Sequence, residues 1–325
     1  MMIKVLLKLN DFLYGNNLTH HYKESNKLLW VVCNIGFRCV WFLFFYYMKL
    51  RGAFSLLPPK ANSTNDDLIV SLTTFPARVK DVWMVVDSMI RQTVRPSMVC
   101  LYLSEEEFPN KDGELPTILK RYKPLGLQIH WVSGNLKPHK KYFYALQSYP
   151  DKCVVTIDDD VYYRSDVLEH LWTLHEKYPA AVCANRAASI LDQDMVVKPY
   201  YLWGLNSNTK AGCSFNYLAT GVGGVLYPKG IMRQQALFDI EVLTRCCLRA
   251  DDLWLKCHEI LAGVPVAAGD NIPPSIEING SQRVSLRATN CGTESDNGND
   301  VQWRALDKQY DVNQKLITLV KKEWQ

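Results

Sequence analysis

The strongest chemical signal in the sequence is a run of three carboxylates, Asp158, Asp159 and Asp160. The run follows directly after residues 154–157, three of which are Val or Ile and the fourth Thr, a composition typical of a buried β-strand. Adjacent carboxylates repel one another, and a divalent cation relieves that repulsion because it is a hard ion that prefers oxygen ligands and can share them with a diphosphate. The run therefore predicts a bound metal, Mn²⁺ or Mg²⁺. The alternative is an acidic turn that faces water and caps the next helix.

A second acidic pair, Asp251 and Asp252, precedes an apolar helical pattern. The glycine-rich run 220–224 comes before the pair, and its glycines favour a backbone turn that a substrate can approach closely. The alternative is an N-terminal helix cap, since aspartate is favoured at that end of a helix. Trp254 follows the pair and could stack on a sugar ring, although a single aromatic residue is more often part of a core.

The elements that must position these acids alternate between strand and helix patterns from Leu68 onwards. Short apolar runs predict strands, and apolar residues at helical spacing predict helices. The predicted strands are 68–72, 98–103, 127–132, 153–157 and 181–183, and the predicted helices are one that begins at Pro76, then 115–122, 141–148, 167–177 and, near the end, 301–310. This alternation predicts an α/β fold with a Rossmann-like, mostly parallel sheet flanked by helices, whose ligand sites lie at the carboxyl ends of the strands.

Ahead of these elements lies an apolar segment that begins at Leu28 and ends at Met48. Its length approaches the roughly 20 residues that are needed to cross a bilayer, but Asn34, Gly36 and Arg38 interrupt it. Three interpretations are open: a spanning helix, an interfacial helix with basic flanks, and a hydrophobic helix packed on the domain. We expect membrane contact through one of the first two.

Composition indicates one large domain with additions at its ends. The chain has 325 residues, of which 48% are hydrophobic, and its formal charge of +4 comes from 37 basic and 33 acidic residues. This near-balance argues against a partner that is a nucleic acid, and ten cysteines without a Cys-x-x-Cys pair fit a reduced, cytosolic setting. Turn formers predict a linker at 57–67, between an N-terminal membrane-proximal segment 1–56 and a catalytic domain 68–272, with a C-terminal extension 273–325 that closes on the domain.

Four features in order resemble the family-two inverting glycosyltransferases and their relatives with the A-type glycosyltransferase fold. The strand and turn of residues 70–76 lead to a helix whose end, 87–93, contains Ser-x-x-x-Gln-Thr. The aspartate run 158–160 follows, and then the glycine-rich run 220–224 precedes the acidic pair 251–252. The resemblance covers about two-thirds of the chain. No single motif is decisive, and the order carries the similarity.

The resemblance implies roles for individual residues. Asp158 and Asp160 would hold the metal on the donor diphosphate, and Asp252, with Asp251 as the second candidate, would be the base that deprotonates the acceptor hydroxyl. Lys141, the choice within the basic run 138–142, would reach the donor phosphates, although a solvated helix start is an equal alternative. The full set of implied contacts is Ser71, Thr73, Arg78, Lys141, Asp158 and Asp159 for the donor, and Gly223, Gly224 and Trp254 for the acceptor.

These observations together lead us to expect a metal-dependent glycosyltransferase at the cytoplasmic face of the cell membrane. It would move one sugar, with inversion, from a nucleotide sugar to a glycan or lipid-linked acceptor in cell-surface polysaccharide synthesis. The end of the second strand lacks the acidic residue with which many relatives recognise the nucleobase. A UDP-sugar is therefore only the starting assumption for the donor. One rival is a nucleotidyltransferase, which should have a glycine-rich loop after the first strand. The other is a non-catalytic, membrane-associated protein that binds a sugar or nucleotide, which the acids at both runs argue against.

Overall fold

The centre of the protein is an eight-stranded sheet. A computed structural model describes residues 2–3, 5–6, 8–9, 27–54, 58, 64–203, 211–269, 276–278 and 298–323. The strands of the sheet are β1 (Asn65–Thr73), β2 (Pro96–Ser104), β3 (Leu127–Val132), β4 (Cys153–Thr156), β6 (Val182–Ala184), β8 (Gly212–Ser214), β10 (Val225–Tyr227) and β11 (Val266–Ala268). Two short pairs lie outside it, formed by β5 (Val161–Tyr162) with β12 (Ile276–Glu277) and by β7 (Ala187–Ser189) with β9 (Tyr217–Ala219).

The order of strands across the sheet is β3-β2-β1-β4-β10-β6-β11-β8. Strands β3, β2, β1 and β4 are mutually parallel, β10 is antiparallel to both β4 and β6, β11 is parallel to β6, and β8 is antiparallel to β11. Only β8 and β10 therefore oppose the common direction. The predicted fold class, a mostly parallel sheet flanked by helices, is confirmed.

Helices cover both faces of the sheet. They are α1 (Lys27–Ala53), α2 (Val82–Ile90), α3 (Thr117–Lys120), α4 (Lys140–Ser148), α5 (Val167–Lys177), α6 (Ile240–Cys247), α7 (Asp251–Ala262), α8 (Gly298–Tyr310) and α9 (Val312–Glu323). Successive residues of a strand point to opposite faces, so Leu226 joins the core beneath α1, α2 and α5, while Val225 and Tyr227 join the core beneath α6 to α9. Burial on both faces explains why the central strands are continuously apolar.

The structure corrects several predicted boundaries. The helix expected to open at Pro76 begins only at Val82, because residues 76–81 form turns in which the Arg78 and Val79 amides donate to the Phe75 carbonyl. The helix expected at 115–122 is shortened to α3, the last predicted helix starts earlier as α8, and α9 follows it. Strand β10 was not predicted, since three residues after a glycine-rich run carry too little periodicity to be recognised.

The predicted N-terminal hydrophobic helix is present as α1. Its stretch Leu28–Ala53 is the one helix among the described residues that is long and apolar enough to cross a membrane, by length and composition. The C-terminal half of α1 packs on the domain through the fully buried Phe44 and Met48. Strand β1 begins inside the predicted linker 57–67, and the proposed division of the chain into segments stays a prediction.

Candidate active site

The aspartate run lies at the carboxyl end of β4, next to the carboxyl end of β1. From β1 the chain proceeds outwards to β2 and β3, and it then returns to place β4 on the other side of β1. Such a reversal opens a crevice at the carboxyl ends of the two central strands, which is where ligands bind in open α/β sheets. The topology therefore puts Asp158, Asp159 and Asp160 at the position that the sequence predicts.

Lys141 joins the two acidic runs. Its Nζ lies 2.6 Å from Asp158 Oδ1 and 2.8 Å from Asp251 Oδ2, and its side chain is only 5% exposed. Burial by itself lowers the pKa of Lys141, but the charges of Asp158, Asp251 and Asp252 outweigh it and hold the pKa well above its ordinary value. Lys141 is therefore a permanent cation at the centre of the acids, and the alternative of a solvated helix start does not describe it.

Asp252 lies in the first turn of α7 and is partly buried. Both of its carboxylate oxygens lie 3.3 Å from the backbone N–H of Gly221, which donates to them. Burial and the charge of Asp251 raise the pKa of Asp252 to about 8, against the opposing effect of Lys141. In Asp251, burial likewise raises the pKa, but Lys141 reverses the effect and the net pKa lies below its ordinary value. One acid is thus held ionised, whereas its neighbour can exchange a proton near neutral pH.

Arg78 and Thr74 both donate hydrogen bonds to Asp159. Arg78 Nη1 donates to Asp159 Oδ1 at 2.6 Å, and the Thr74 hydroxyl donates to Asp159 Oδ2 at 2.5 Å. Arg78 also lies 3.3 Å from Asp160 Oδ2. Burial, followed by the charge of Asp158, raises the pKa of Asp160 to about 7 despite the guanidinium. Asp159 is therefore held by two donors within the protein, whereas Asp158, paired with Lys141, and Asp160, paired with Arg78, are the more exposed acids of the run.

The residues present are compatible with a divalent cation. No group of three His, Cys, Asp or Glu side chains within the described ranges is arranged to hold a metal by itself. Asp158 and Asp160 are partly accessible, with side chains 31% and 15% exposed, and burial together with the negative charge of Asp158 raises the pKa of Asp160. A hard cation with two carboxylate ligands, completed by water and substrate phosphate oxygens, would relieve this charge. The donor set therefore fits such an ion together with a ligand.

Ser71 and Thr73 lie at the end of β1, on the donor side of the crevice. The fully buried Ser71 hydroxyl donates to the carbonyl of Lys141, so it fixes the start of α4. Thr73 is partly buried and donates to the carbonyl of Tyr102 at 2.8 Å, which leaves it nearer to the open edge. Ser71 accordingly positions Lys141 from behind, in place of the direct donor contact that was predicted.

The three predicted acceptor residues lie in tightly packed positions, and the acceptor contacts of Gly223 and Gly224 stay predictions. A Cβ on Gly223 would lie 2.9 Å from Arg186 Cβ, so Gly223 permits close backbone packing. Gly224 has a φ of +82°, which an L side chain rarely adopts. Trp254 is completely buried, and its indole N–H donates to the Leu237 carbonyl at 3.0 Å. A ring without an exposed face cannot stack on a sugar, so the acceptor contact expected of Trp254 is not available in this arrangement.

Two residues of the site were named from the sequence only as members of a run, Gly221 in 220–224 and His139 in 138–142, and received no role of their own. A Cβ on Gly221 would lie 3.0 Å from both Asp158 Oδ1 and Lys141 Nζ, so this is the glycine of its run that faces the acids. His139 is completely buried, with Nε2 2.8 Å from the Cys247 carbonyl oxygen and Nδ1 3.0 Å from the Tyr142 hydroxyl. It thereby ties the start of α4 to the end of α6. In the sequence, only its position two residues before Lys141 indicates that His139 belongs to the site.

Comparisons with known proteins assign no family. No protein-family model matches the chain, and no curated protein matches it in sequence. Among solved structures, S. aureus TarS 1–349 in complex with UDP-GlcNAc aligns with 76% of this chain and 66% of its own, at 11% identity and a TM-score of 0.47. The mannosyltransferase PcManGT from Pyrobaculum calidifontis in complex with GDP-Man and Mn²⁺ aligns with 99% of this chain and 85% of its own, at 12% identity and a TM-score of 0.43.

A third structure, 4-diphosphocytidyl-2C-methyl-D-erythritol synthase from Anaerococcus prevotii, aligns with 68% of this chain and 92% of its own, at 16% identity and a TM-score of 0.39. In another TarS 1–349 structure the alignment spans 60% of that protein's length. With TM-scores below 0.5, these similarities by themselves assign neither a family nor an activity.

Proposed function

We propose that the protein is a nucleotide-sugar-dependent glycosyltransferase. The observation that carries the proposal is the convergence of two acidic runs, distant in the chain, on one buried cation: Lys141 Nζ contacts both Asp158 and Asp251. The cluster lies at the carboxyl ends of β1 and β4, where an open α/β sheet offers its ligand crevice. A transferase needs charge compensation for a diphosphate and a base for a hydroxyl in one place, and this cluster contains groups suited to both.

Lys141 and Arg78 provide the fixed positive charge on the donor side. As the bond between the anomeric carbon and the diphosphate breaks, its electron pair passes to the diphosphate, and cations already held in position stabilise that developing charge without reorganising. A divalent cation bound by Asp158 and Asp160 would add Lewis-acid neutralisation of the same leaving group. Asp159 contributes indirectly, because it holds Arg78 at the edge of the crevice.

Asp252 is the proposed base. Its carboxylate would take the proton of the acceptor hydroxyl while the hydroxyl oxygen attacks the anomeric carbon from the face opposite the diphosphate, which inverts the configuration. With a pKa of about 8, Asp252 is matched to a proton transfer near neutral pH. Because the base must be ionised, transfer should accelerate as the pH rises towards 8. Asp251, which Lys141 keeps ionised, lies beside Asp252, and its negative charge contributes to the raised pKa of Asp252.

We further propose that the acceptor is a glycan or a lipid-linked sugar, with one sugar added at a time, at the cytoplasmic face of the membrane. The apolar helix α1, which carries the segment between Leu28 and Met48, supports the membrane contact. No residue of the sequence identifies the base of the donor, so a uridine nucleotide is tested first and the other nucleotides are tested beside it.

The test is thermal stabilisation of the full chain by a panel of nucleoside diphosphates, with and without Mn²⁺. A ligand that binds only the folded state raises the melting temperature by mass action. We expect a Mn²⁺-dependent shift for one nucleotide that Asp160→Asn loses and Asp151→Asn, at a side chain 90% exposed, retains. No shift with any nucleotide would contradict the donor site.

A second measurement separates catalysis from binding. Asp252→Asn should keep the nucleotide-induced shift but lose release of the nucleoside diphosphate from the donor sugar in the presence of acceptor extracts. If the wild type binds a nucleotide sugar yet releases no diphosphate with any acceptor, the non-catalytic binding protein becomes the better description.

A further inference from the structure

Helix α1 has a continuous apolar stripe on its outer side. Its members recur at spacings of three or four residues and are all exposed: Leu28, Val32, Ile35, Cys39, Phe42, Tyr46 and Leu50. At about 100° per residue, this spacing puts them on a single side of the helix. The exposed fractions reach 75% at Leu28 and 66% at Phe42, so the stripe is open along nearly the whole helix.

The opposite side of the same helix is fastened to the domain. Val40, Phe44, Met48 and Arg51 also follow helical spacing, and all four are buried. Arg51 forms a two-pronged ion pair with Asp87, whose oxygens lie 2.8 and 2.9 Å from its guanidinium nitrogens. A buried pair of this kind opposes detachment, because separating the partners would leave an uncompensated charge in the core.

This fastening is incompatible with a spanning helix. A single helix that spans a membrane must extend beyond the folded domain by the hydrocarbon thickness, about 30 Å. The part of α1 that precedes Val40, residues 27–39, is only about 20 Å long at 1.5 Å per residue. The remainder is covered on one side by protein. Such a helix can present its outer side to a membrane surface but cannot cross it.

The charges on α1 point to an anionic lipid leaflet as the occupant of the stripe. The helix contains no acidic residue, and its exposed Arg38 and Lys49 lie eleven residues apart, about three turns, on the same border of the stripe. An apolar side bordered by basic residues is the pattern of a helix that lies in the headgroup region. We propose that α1 lies in the plane of an anionic leaflet and inserts this stripe while it remains docked to the domain.

The docked helix also lies directly behind the candidate active site. Phe44 packs against Tyr162 of β5 with ring centroids 5.0 Å apart, and the Trp41 indole N–H donates to the Glu277 carbonyl of β12 at 3.3 Å. Strand β5 follows immediately after Asp160 in the chain and pairs with β12. This arrangement would hold the acids close to the leaflet, where a lipid-linked acceptor would be anchored. This part of the inference rests on the proposed function. The leaflet contact itself does not depend on the transfer reaction.

Flotation of the full chain with lipid vesicles tests the contact. The wild type should float with vesicles of phosphatidylcholine and phosphatidylglycerol, more weakly with phosphatidylcholine alone. The double variant Phe42→Glu, Tyr46→Glu should reduce the bound fraction about tenfold or more, because two apolar side chains leave the lipid. Val301→Glu, at a side chain 49% exposed on α8, is the matched control and should float like the wild type.

Two outcomes would overturn the proposal. A fluorescent residue placed at position 28, 35, 42 or 50 should report one shallow depth from quenching by nitroxide-labelled lipids, whereas a progressive change of depth along the helix would show that it spans. Failure to bind vesicles, together with a dimer that the double variant converts to a monomer, would assign the stripe to a second copy of the chain. The nucleotide-induced thermal shift of the double variant shows separately whether the donor site is intact.

Discussion

Replacing Lys141 with methionine tests whether the site is held together by one buried cation. Lys141 Nζ lies 2.6 Å from Asp158 and 2.8 Å from Asp251. Removing one partner from a buried ion pair costs about 3–5 kcal/mol, because it leaves an uncompensated charge. Asp158 is 31% exposed and can regain water, whereas Asp251 is only 11% exposed. Most of the cost therefore comes from Asp251, and we expect a loss near the lower limit, about 3 kcal/mol.

The assay is urea denaturation at about neutral pH with a chelator present, so that no metal substitutes for the missing charge. The control is Lys111→Met, which removes an ion pair of similar length, 2.8 Å, from Glu105. Because both of those side chains are at least 42% exposed, the control should lose less than about 1 kcal/mol. The deficit of Lys141→Met should also shrink as the pH falls towards 5, since protonation of the buried carboxylates removes their repulsion.

A double variant sharpens the test. Adding Asp251→Asn to Lys141→Met removes the stranded charge and should recover about 1–2 kcal/mol of the free energy of unfolding. The reasoning is refuted if the free energy of unfolding of Lys141→Met lies within about 1 kcal/mol of the wild-type value. It is also refuted if the double variant is less stable than Lys141→Met, as it would be if the two substitutions acted independently.

Three further predictions concern stability and the site. Burial lowers the pKa of His139 to about 4, so below pH 6.5 the unfolded chain binds a proton at this site that the folded chain does not. Between pH 6.5 and pH 4.5 the free energy of unfolding of the wild type should therefore fall by about 2 kcal/mol relative to that of His139→Gln, and an identical pH dependence of the two proteins in urea denaturation would contradict this. Gly221→Ala should abolish the nucleotide-induced thermal shift because its Cβ would crowd the acids, while Gly269→Ala, with no atom within 4 Å of its Cβ, should preserve it. Asp87→Ala should cost about 3–5 kcal/mol in urea denaturation by stranding Arg51, and equal stability would show that α1 is held by apolar packing alone.

Local patterns in the sequence determined the class of the fold. Strand β1 contains a run of apolar residues buried on both faces, and this continuity is visible without any tertiary information. The position of Asp158 to Asp160 followed from the same logic, because a polar run after a buried strand must lie at its carboxyl end. The existence of α1 also followed from composition, since its apolar residues outnumber its polar ones over the full length. These features depend on near neighbours in the chain.

Contacts between distant residues decided the roles within the site. Lys140 and Lys141 are adjacent in sequence, yet Lys140 pairs with Glu107 at 2.6 Å while Lys141 enters the acids. Neighbours on a helix point about 100° apart, so the choice depends on how α4 is rotated against the sheet. The same holds for α1, whose docked side is determined by Arg51 meeting Asp87. A sequence pattern specifies which side of a helix is apolar, but only packing specifies what that side faces.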